Sequence, residues 1–260
     1  MTTTAKPKTT HRTVKQRTNV ALPDRNVSMS NALARGSHAL TLAEKRIVSM
    51  ALAMTDSIPS QDLIAAQKVG WTVRLVASEY AETYEVDPDT AYNQLQDSAK
   101  ALMKRTWKTT HEGPRGPVIR EGLWVQMAQY SKGEGHVLVK FTAEVAPHLL
   151  ALRKQFTTYK LKQASALRSV YAWRLLECLQ SWKSKGLWSP TIEEFHRAMD
   201  APESCRADFG RLRARIIETA VEELRSKDNL LITWEPVKAG RKVVGLKFKF
   251  APDPQGKLQL

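Results

Sequence analysis

The sequence predicts an α+β chain of two tandem winged-helix units, and three observations carry that expectation. First, the order helix, strand, helix, turn, helix, hairpin can be traced once within residues 26–152 and again within 153–252, and a doubled plan arises by chance far less often than a single one. Second, Arg206 to Lys227 has apolar residues at helical spacing on one side and arginines on the other, as a helix seated in a DNA groove would. Third, the net charge of +14 is unevenly divided. Residues 1–25 hold six Lys/Arg against one acid, residues 26–152 thirteen of each, and residues 153–260 twenty-one against twelve. A neutral middle beside a basic second half predicts that the second half supplies most of the affinity for a polyanion.

The elements follow in order. Residues 1–25 are rich in Thr, Lys and Arg with few apolar positions, which predicts a disordered basic tail, either a loose phosphate-binding arm or a solubilising leader. Thr41 and Glu44 form a capping box that starts a helix near Leu42, with Ile47, Val48, Ala51 and Leu52 inside. Leu33, Leu40, Ile47 and Met54 fall seven apart, but Gly36 and the cap at Thr41 interrupt any single helix, so they are expected in the core rather than in a zipper. Val69 to Ala77 alternates as a half-buried strand, and a short helix Ser78 to Thr83 comes next. Asp87-Pro88 then opens a helix expected to run to about Trp107. His111 to Pro117, with two Gly and two Pro, is expected as a loop, and Leu123 to Tyr130 with His136 to Phe141 as a hairpin. As strand neighbours, Trp124 and Val125 should lie on opposite faces, so that only one is core.

In the second half a helix is expected from about Tyr159 to Ser184, then an extended piece Leu187 to Ser189 and a second capping box, Thr191 with Glu194, for a helix Ile192 to Met199. The Arg206 to Lys227 helix buries Phe209, Leu212, Ile216, Ile217, Ala220, Val221 and Leu224. Leu230 to Glu235 and Val243 to Phe250 form two strands about the turn Lys238-Ala239-Gly240-Arg241, and 253–260 is a short tail. An isolated amphipathic helix kept soluble by arginine would show the same stripe, and the hairpin behind it and the helix before it favour the DNA-reading alternative. Arginine reaches a guanine edge or a phosphate through two parallel hydrogen bonds. Arg211 and Arg215, one turn apart opposite the stripe, are therefore expected at bases, Arg206 and Arg213 at phosphates, and Arg241, Lys247 and Lys249 of the hairpin at phosphates.

Other chemistries find little support. Cys178 and Cys205 stand alone, as a core thiol and a loop thiol, which gives neither a disulfide framework nor a zinc site. No apolar run approaches the roughly 20 residues of a membrane span, and the amino terminus lacks a hydrophobic block, so no membrane contact and a cytoplasmic location are expected. A rolling-circle nickase needs a His-x-His metal pair beside a tyrosine nucleophile, whereas His11, His38, His111, His136, His148 and His196 are isolated and expected on surfaces or loops. The Gly-x-x-x-x-Gly-Lys-Ser/Thr phosphate loop of a helicase is absent. Asp87 with Asp89 is better read as a helix start, and Glu222 with Glu223 as a solvated helix face, than as metal ligands. No catalytic residue, metal or cofactor is expected.

Several short stretches together carry a family resemblance. They are Asn31-Ala32-Leu33, Leu40 to Ile47, Ala91-Tyr92 with Leu95, Lys140-Phe141-Thr142, Phe156-Thr157-Thr158, Ser169 to Ala172 with Leu175-Leu176, the arginine-bearing helix, and Leu246 to Phe250. In this order and spacing the chain resembles the replication initiator proteins of iteron-containing, theta-replicating plasmids, of the RepE and pi type. The resemblance implies two winged-helix domains, 26–152 for dimerisation and a secondary DNA contact and 153–252 for the main contact with iteron DNA. It implies a monomer that binds iterons to initiate replication, and a homodimer in equilibrium with it that binds an operator inverted repeat and represses its own gene. Host initiator, helicase and chaperones are the implied partners. A dimeric winged-helix transcription regulator, and more remotely an origin-nicking enzyme, are the alternatives. Charge neutrality points to the first domain as the dimer interface, the resemblance implies its sheet, and the hairpin Leu123 to Phe141 is the expected contact because its alternation leaves one face and one edge free, with the helices around Leu33 and Leu40 as the fallback.

Overall fold

The structure, a computed structural model, describes residues 20–55, 60–150, 156–228 and 230–252. The expected tail up to residue 19, the expected boundary between 152 and 153, and the tail 253–260 lie outside the described residues. Within the described part of the expected tail, Leu22–Asp24 form a 3-10 turn, and the buried Arg25 donates from Nε to the Val20 carbonyl at 3.0 Å. The basic tail therefore does not extend to Arg25, because that side chain has a carbonyl partner and a packed environment.

In the first unit β1 (Asn26–Ser30) leads into α1 (Asn31–Ala34), capped by Ser30 Oγ, which accepts from the Leu33 N–H at 3.2 Å. Next come α2 (Leu42–Thr55), α3 (Ser60–Val69), β2 (Trp71–Val76), α4 (Ala77–Tyr84) and α5 (Pro88–Leu102). Both expected caps form: Glu44 accepts from the Thr41 N–H at 2.8 Å, and Asp87 accepts from the Asp89 N–H at 3.0 Å. Leu33, Leu40, Ile47 and Met54 are all buried, as expected of core.

α5 stops at Leu102, five residues before its expected end, because Thr106-Trp107-Lys108-Thr109-Thr110 is a β-branched and aromatic run that suits a strand. That run opens a two-stranded ribbon, β3 (Thr106–Gly113) and β4 (Gly116–Leu123), in register from Thr106↔Leu123 to Gly113↔Gly116. The expected loop His111 to Pro117 is the far end of this ribbon, and only Pro114 and Arg115 are left to turn. A separate sheet, ordered β2-β6-β5, contains β5 (Val125–Ser131) and β6 (His136–Phe141), the expected hairpin, with β5 on its edge. Trp124 and Val125 are both buried, at 1 % exposure each, against the expectation of one. Trp124 lies at the bend between ribbon and sheet, where strand alternation does not operate, and Thr142 donates to its carbonyl at 3.1 Å.

After α6 (Ala146–Leu149), the long helix expected from Tyr159 is divided into β7 (Phe156–Lys160), α7 (Leu161–Ser165) and α8 (Val170–Gln180). Two causes are visible. Phe156-Thr157-Thr158-Tyr159 alternates and pairs along the whole of β1, and Ser169 caps α8 by accepting from the Tyr171 N–H at 3.2 Å. The second unit continues with β8 (Leu187–Trp188), α9 (Ile192–Ala198), α10 (Glu203–Arg206), α11 (Phe209–Leu212), a π-helical turn Arg213–Glu218, α12 (Thr219–Asp228), β9 (Leu230–Ala239) and β10 (Lys242–Pro252). Its sheet is ordered β8-β10-β9. Cys205 lies buried on α10 rather than in a loop, where it faces the core on a short helix. Glu223 is not on a solvated face: it accepts from the Ser169 N–H at 3.1 Å and so helps to start α8.

A buried polar cluster joins α8 to α2 and β7. Glu177 on α8 is fully buried and accepts from Lys45 Nζ of α2 at 2.7 Å, from Arg174 at 3.2 Å, and from the Tyr159 hydroxyl of β7 at 3.0 Å. His38 is also buried, contrary to the expectation of a surface histidine, and so is His136. The His38 Nε2–H donates to the Leu33 carbonyl at 2.7 Å, leaving Nδ1 to face Arg174 at 3.2 Å. Burial, and after it the charges of Arg174 and Lys45, hold the His38 pKa well below its ordinary value.

Two consequences follow for stability. Replacing Glu177 by Gln leaves Lys45 and Arg174 buried with no anion between them, and urea unfolding should show a loss of about 3–5 kcal/mol. Lys45→Met should cost less, because Arg174 still neutralises Glu177; equal losses would mean that Arg174 contributes nothing to the balance. For His38 the folded pKa is depressed, so the unfolded chain binds the extra proton and stability falls as pH drops below about 6.5, by up to about 1.4 kcal/mol per pH unit. Asp228, raised by burial to about 6, acts in the opposite sense between its ordinary value and that pH. The difference between wild type and His38→Gln isolates the histidine, and an unchanged difference from pH 7 to 5 would mean that the imidazole charges inside the fold.

Candidate nucleic-acid interface

In the second unit α9, the turn through α10, and α11 with its π-helical turn and α12 form a helix-turn-helix. The long rod begins at Asp208, whose Oδ1 accepts from the Arg211 N–H at 3.2 Å. Leu212, Ile216, Ile217, Ala220, Val221 and Leu224 are buried and Phe209 is half-buried, as the spacing predicted. Between them, residues 213–218 form i→i+5 hydrogen bonds, and Thr219 Oγ1 donates to the Ala214 carbonyl at 3.1 Å across the same interval. The wide turn lets two consecutive residues, Ile216 and Ile217, enter the core together.

The same turn alters the outer face. Positions five apart now superpose, so Arg213 and Glu218 meet in an ion pair at 2.7 Å, while Arg211 and Arg215 are displaced around the axis relative to an α-helical turn. All three arginines are exposed but differently engaged. Arg211 pairs with Asp208 at 3.3 Å, and Arg213 also lies 5.9 Å over the Trp234 ring. Arg215 has no hydrogen-bond or ion-pair partner among the described residues. Arg206 is apart from the rod, in the last turn of α10, where its Nε donates to the Ala201 carbonyl at 2.6 Å and ties down the turn.

The β9–β10 hairpin is the wing. Trp188, Phe195 and Phe248 stack with centroids 5.4–5.9 Å apart and hold its base on α9. Gly240, at φ +62°, makes the turn at its tip, a conformation that disfavours a side chain. The three expected wing contacts are not brought together. Arg241 is exposed at the tip; Lys247 is opposite Glu235 and paired with it at 3.4 Å; Lys249 is opposite Thr233 and Leu187 at the base, roughly 23 Å along the strand from Lys242. Sequence reasoning passed over Lys238 and Lys242, both exposed beside Arg241 at the tip, although Lys238 lies in the turn already recognised.

The first unit repeats the geometry with different chemistry. Its α4 and α5 form the helix-turn-helix, and α5 buries Ala91, Leu95, Ala99 and Leu102 while exposing Thr90, Asn93, Asp97 and Lys100. That outer face is neutral overall, whereas the outer face of the second rod is rich in arginine. Among the described residues no three His, Cys, Asp or Glu side chains are grouped so as to hold a metal ion, and no helix is long and apolar enough to cross a membrane.

Two helix-turn-helix units, each with its own wing, and an outer helix face set with arginine define a DNA-binding protein of the tandem winged-helix class. Comparison narrows this further. Residues 26–180 match the family described as "Initiator Replication protein, WH1" and residues 191–250 the one described as "Initiator Rep protein, WH2". The chain belongs to this family of replication initiator proteins. An uncharacterized 27.6 kDa protein of Escherichia coli is 25% identical over 219 residues, covering 83% of this chain and 91% of that protein. The PI protein of Escherichia coli is 24% identical over 245 residues, covering 82% of this chain and 78% of that protein. Among solved structures, the crystal structure of Pi initiator protein in complex with iteron DNA shares the fold, with a TM-score of 0.69 at 20% identity over 89% of this chain and 99% of that one.

Proposed function

We propose that this initiator binds the iterons of a plasmid origin sequence-specifically as a monomer, through the second unit chiefly and the first unit secondarily, and recruits host initiator, helicase and chaperones there without cutting DNA. The observation that carries this reading is the exposed arginine face of the second rod, with Arg215 unpaired among the described residues, beside a wing whose tip holds Lys238, Arg241 and Lys242. Arg211 and Arg215 read bases, and Arg206 and Arg213 contact phosphate. For Arg211 this requires leaving Asp208, an exposed pair whose loss costs little. Arg241, Lys247 and Lys249 act on the phosphate backbone, Arg241 with the best placement.

The same reading includes a homodimer that binds an operator inverted repeat and represses the gene, in a cytoplasm where protein and plasmid meet. We place the contact on the hairpin formed by β5 and β6, because β5 is a sheet edge and exposes Gln126, Met127 and Gln129. The neutral charge of the first unit favours self-contact over a meeting of two basic surfaces.

Arg211→Ala and Arg215→Ala should each weaken binding to the cognate repeat by about 1–3 kcal/mol and narrow the gap to random DNA. Arg241→Ala should weaken all sequences alike and reduce the salt slope by about one unit. Filter binding at several salt concentrations separates these outcomes, and equal losses on cognate and random DNA for the first pair would assign them to phosphate instead. For the dimer, Met127→Glu places two like charges across the edge and should shift sedimentation toward monomer while binding to a single repeat survives. An unchanged dimer would move the contact to the β3–β4 ribbon, where Ile119 is 68% exposed and Leu123 48%.

A further inference from the structure

The turn between α9 and α10 does more than connect two helices. Asp200 there adopts a left-handed conformation at φ +48°, and its carboxylate reaches across to the loop before α2 in the first unit. Its Oδ1 accepts from the Ser37 hydroxyl, and its Oδ2 accepts from the backbone N–H of His38 at 3.1 Å and of Ala39 at 2.9 Å. Ala39 is itself left-handed, at φ +46°, a conformation that is costly for a residue with a Cβ and that persists only where the surroundings impose it. A second bridge lies beside the first: Arg174 donates from Nε to the Ala198 carbonyl at 2.8 Å and from Nη2 to the Gly36 carbonyl. Loop 36–39 is thus held at four points, three of them on the Asp200 carboxylate and the fourth through Arg174, which reaches the end of α9.

We infer that Asp200 is a positioning residue that fixes the helix-turn-helix of the second unit against the first, so that α5 and the α11–α12 rod address one duplex in a set register. The chain from Asp200 to the rod is short and stiff. Ala201 is buried and Pro202 follows it, Arg206 bonds back to the Ala201 carbonyl, and Asp208 caps the rod eight residues after Asp200. A small rotation at Asp200 would be carried directly into the rod, while the rod's own core stripe stayed packed. Asp200 touches no DNA-facing side chain and acts only through the angle between the units. This inference rests on the proposed contact of both units with one repeat.

The test uses the full chain with Asp200→Ala and Asp200→Asn, and two DNA probes: a complete origin repeat, and a shortened one keeping only the part protected by the second unit. Asp200→Ala should lose about tenfold on the complete repeat and nothing on the shortened one, since charge-assisted hydrogen bonds of this kind are removed outside the reading surface. Asn retains one acceptor oxygen and should fall between Ala and wild type. Equal losses on both probes would make Asp200 part of the second unit's own fold, and no loss on either would overturn the inference. If wild type itself binds both probes alike, the two-unit contact is what fails. Spin labels at the exposed Glu82 and Glu222 then decide Asp200 separately. A distance distribution that is narrow in wild type and broad in Asp200→Ala supports the positioning role; an unchanged distribution refutes it.

Discussion

A buried carboxylate between two cations and a phenol is the interaction on which the packing of α8 against α2 and β7 depends. Glu177 comes from α8, Lys45 from α2 and Tyr159 from β7, so one side chain draws together three elements far apart in sequence. Burying so many ionisable groups is unfavourable unless each finds a partner, and here the Trp173 Nε1–H completes the set by donating to the Tyr159 hydroxyl at 3.0 Å. The cluster therefore gives little net stability but excludes other arrangements, because any sliding of α8 against α2 strands a charge. The β1–β7 ladder enforces the same geometry through the backbone, joining residues 130 positions apart.

Much of this was legible in the sequence wherever one local rule decided the outcome. The capping boxes at Thr41 and Thr191, the Asp87-Pro88 start, the alternation of Trp71, Val73 and Leu75, and the buried stripe from Leu212 to Leu224 all form as read. The failures share one physical origin, since each depended on a distant partner. Phe156-Thr157-Thr158-Tyr159 becomes a strand because β1 is there to pair with it, and Thr106 to Thr110 because β4 returns alongside. Trp124 and Val125 are both core because the chain bends between a ribbon and a sheet, and no periodicity announces a bend. On the candidate site, the arginine face of the rod was legible from spacing, but the engagement of Arg213 with Glu218 and Trp234 was not, because it follows from a π-helical turn that has no pattern of its own in the sequence. The dispersal of Lys247 and Lys249 along the wing likewise required the register of β9 against β10.

The two units divide labour by charge while sharing a plan. The first balances thirteen basic residues with thirteen acids over 26–152, and two of the basic ones serve the fold: buried Lys45 pairs with Glu177, and Arg105 pairs with the cap residue Glu44 at 3.0 Å. The outer face of its α5 carries charges of both signs, Asp97 and Lys100 among them. In the second unit most arginines stay on the outside. Long-range attraction to a polyanion therefore comes from the net positive second unit, since the first has no net charge to supply it.

The π-helical turn at 213–218 bears on how such a protein diverges. A turn of this kind is equivalent to one residue inserted into an α-helix, absorbed locally without breaking the rod. Descendants that lose a residue there would regain a regular helix and keep the stripe on either side packed, so outward side chains beyond the turn would hold their bearing and only those within 213–218 would be re-spaced. A single-codon deletion or insertion could thus rearrange the arginines of the turn without passing through an unfolded ancestor.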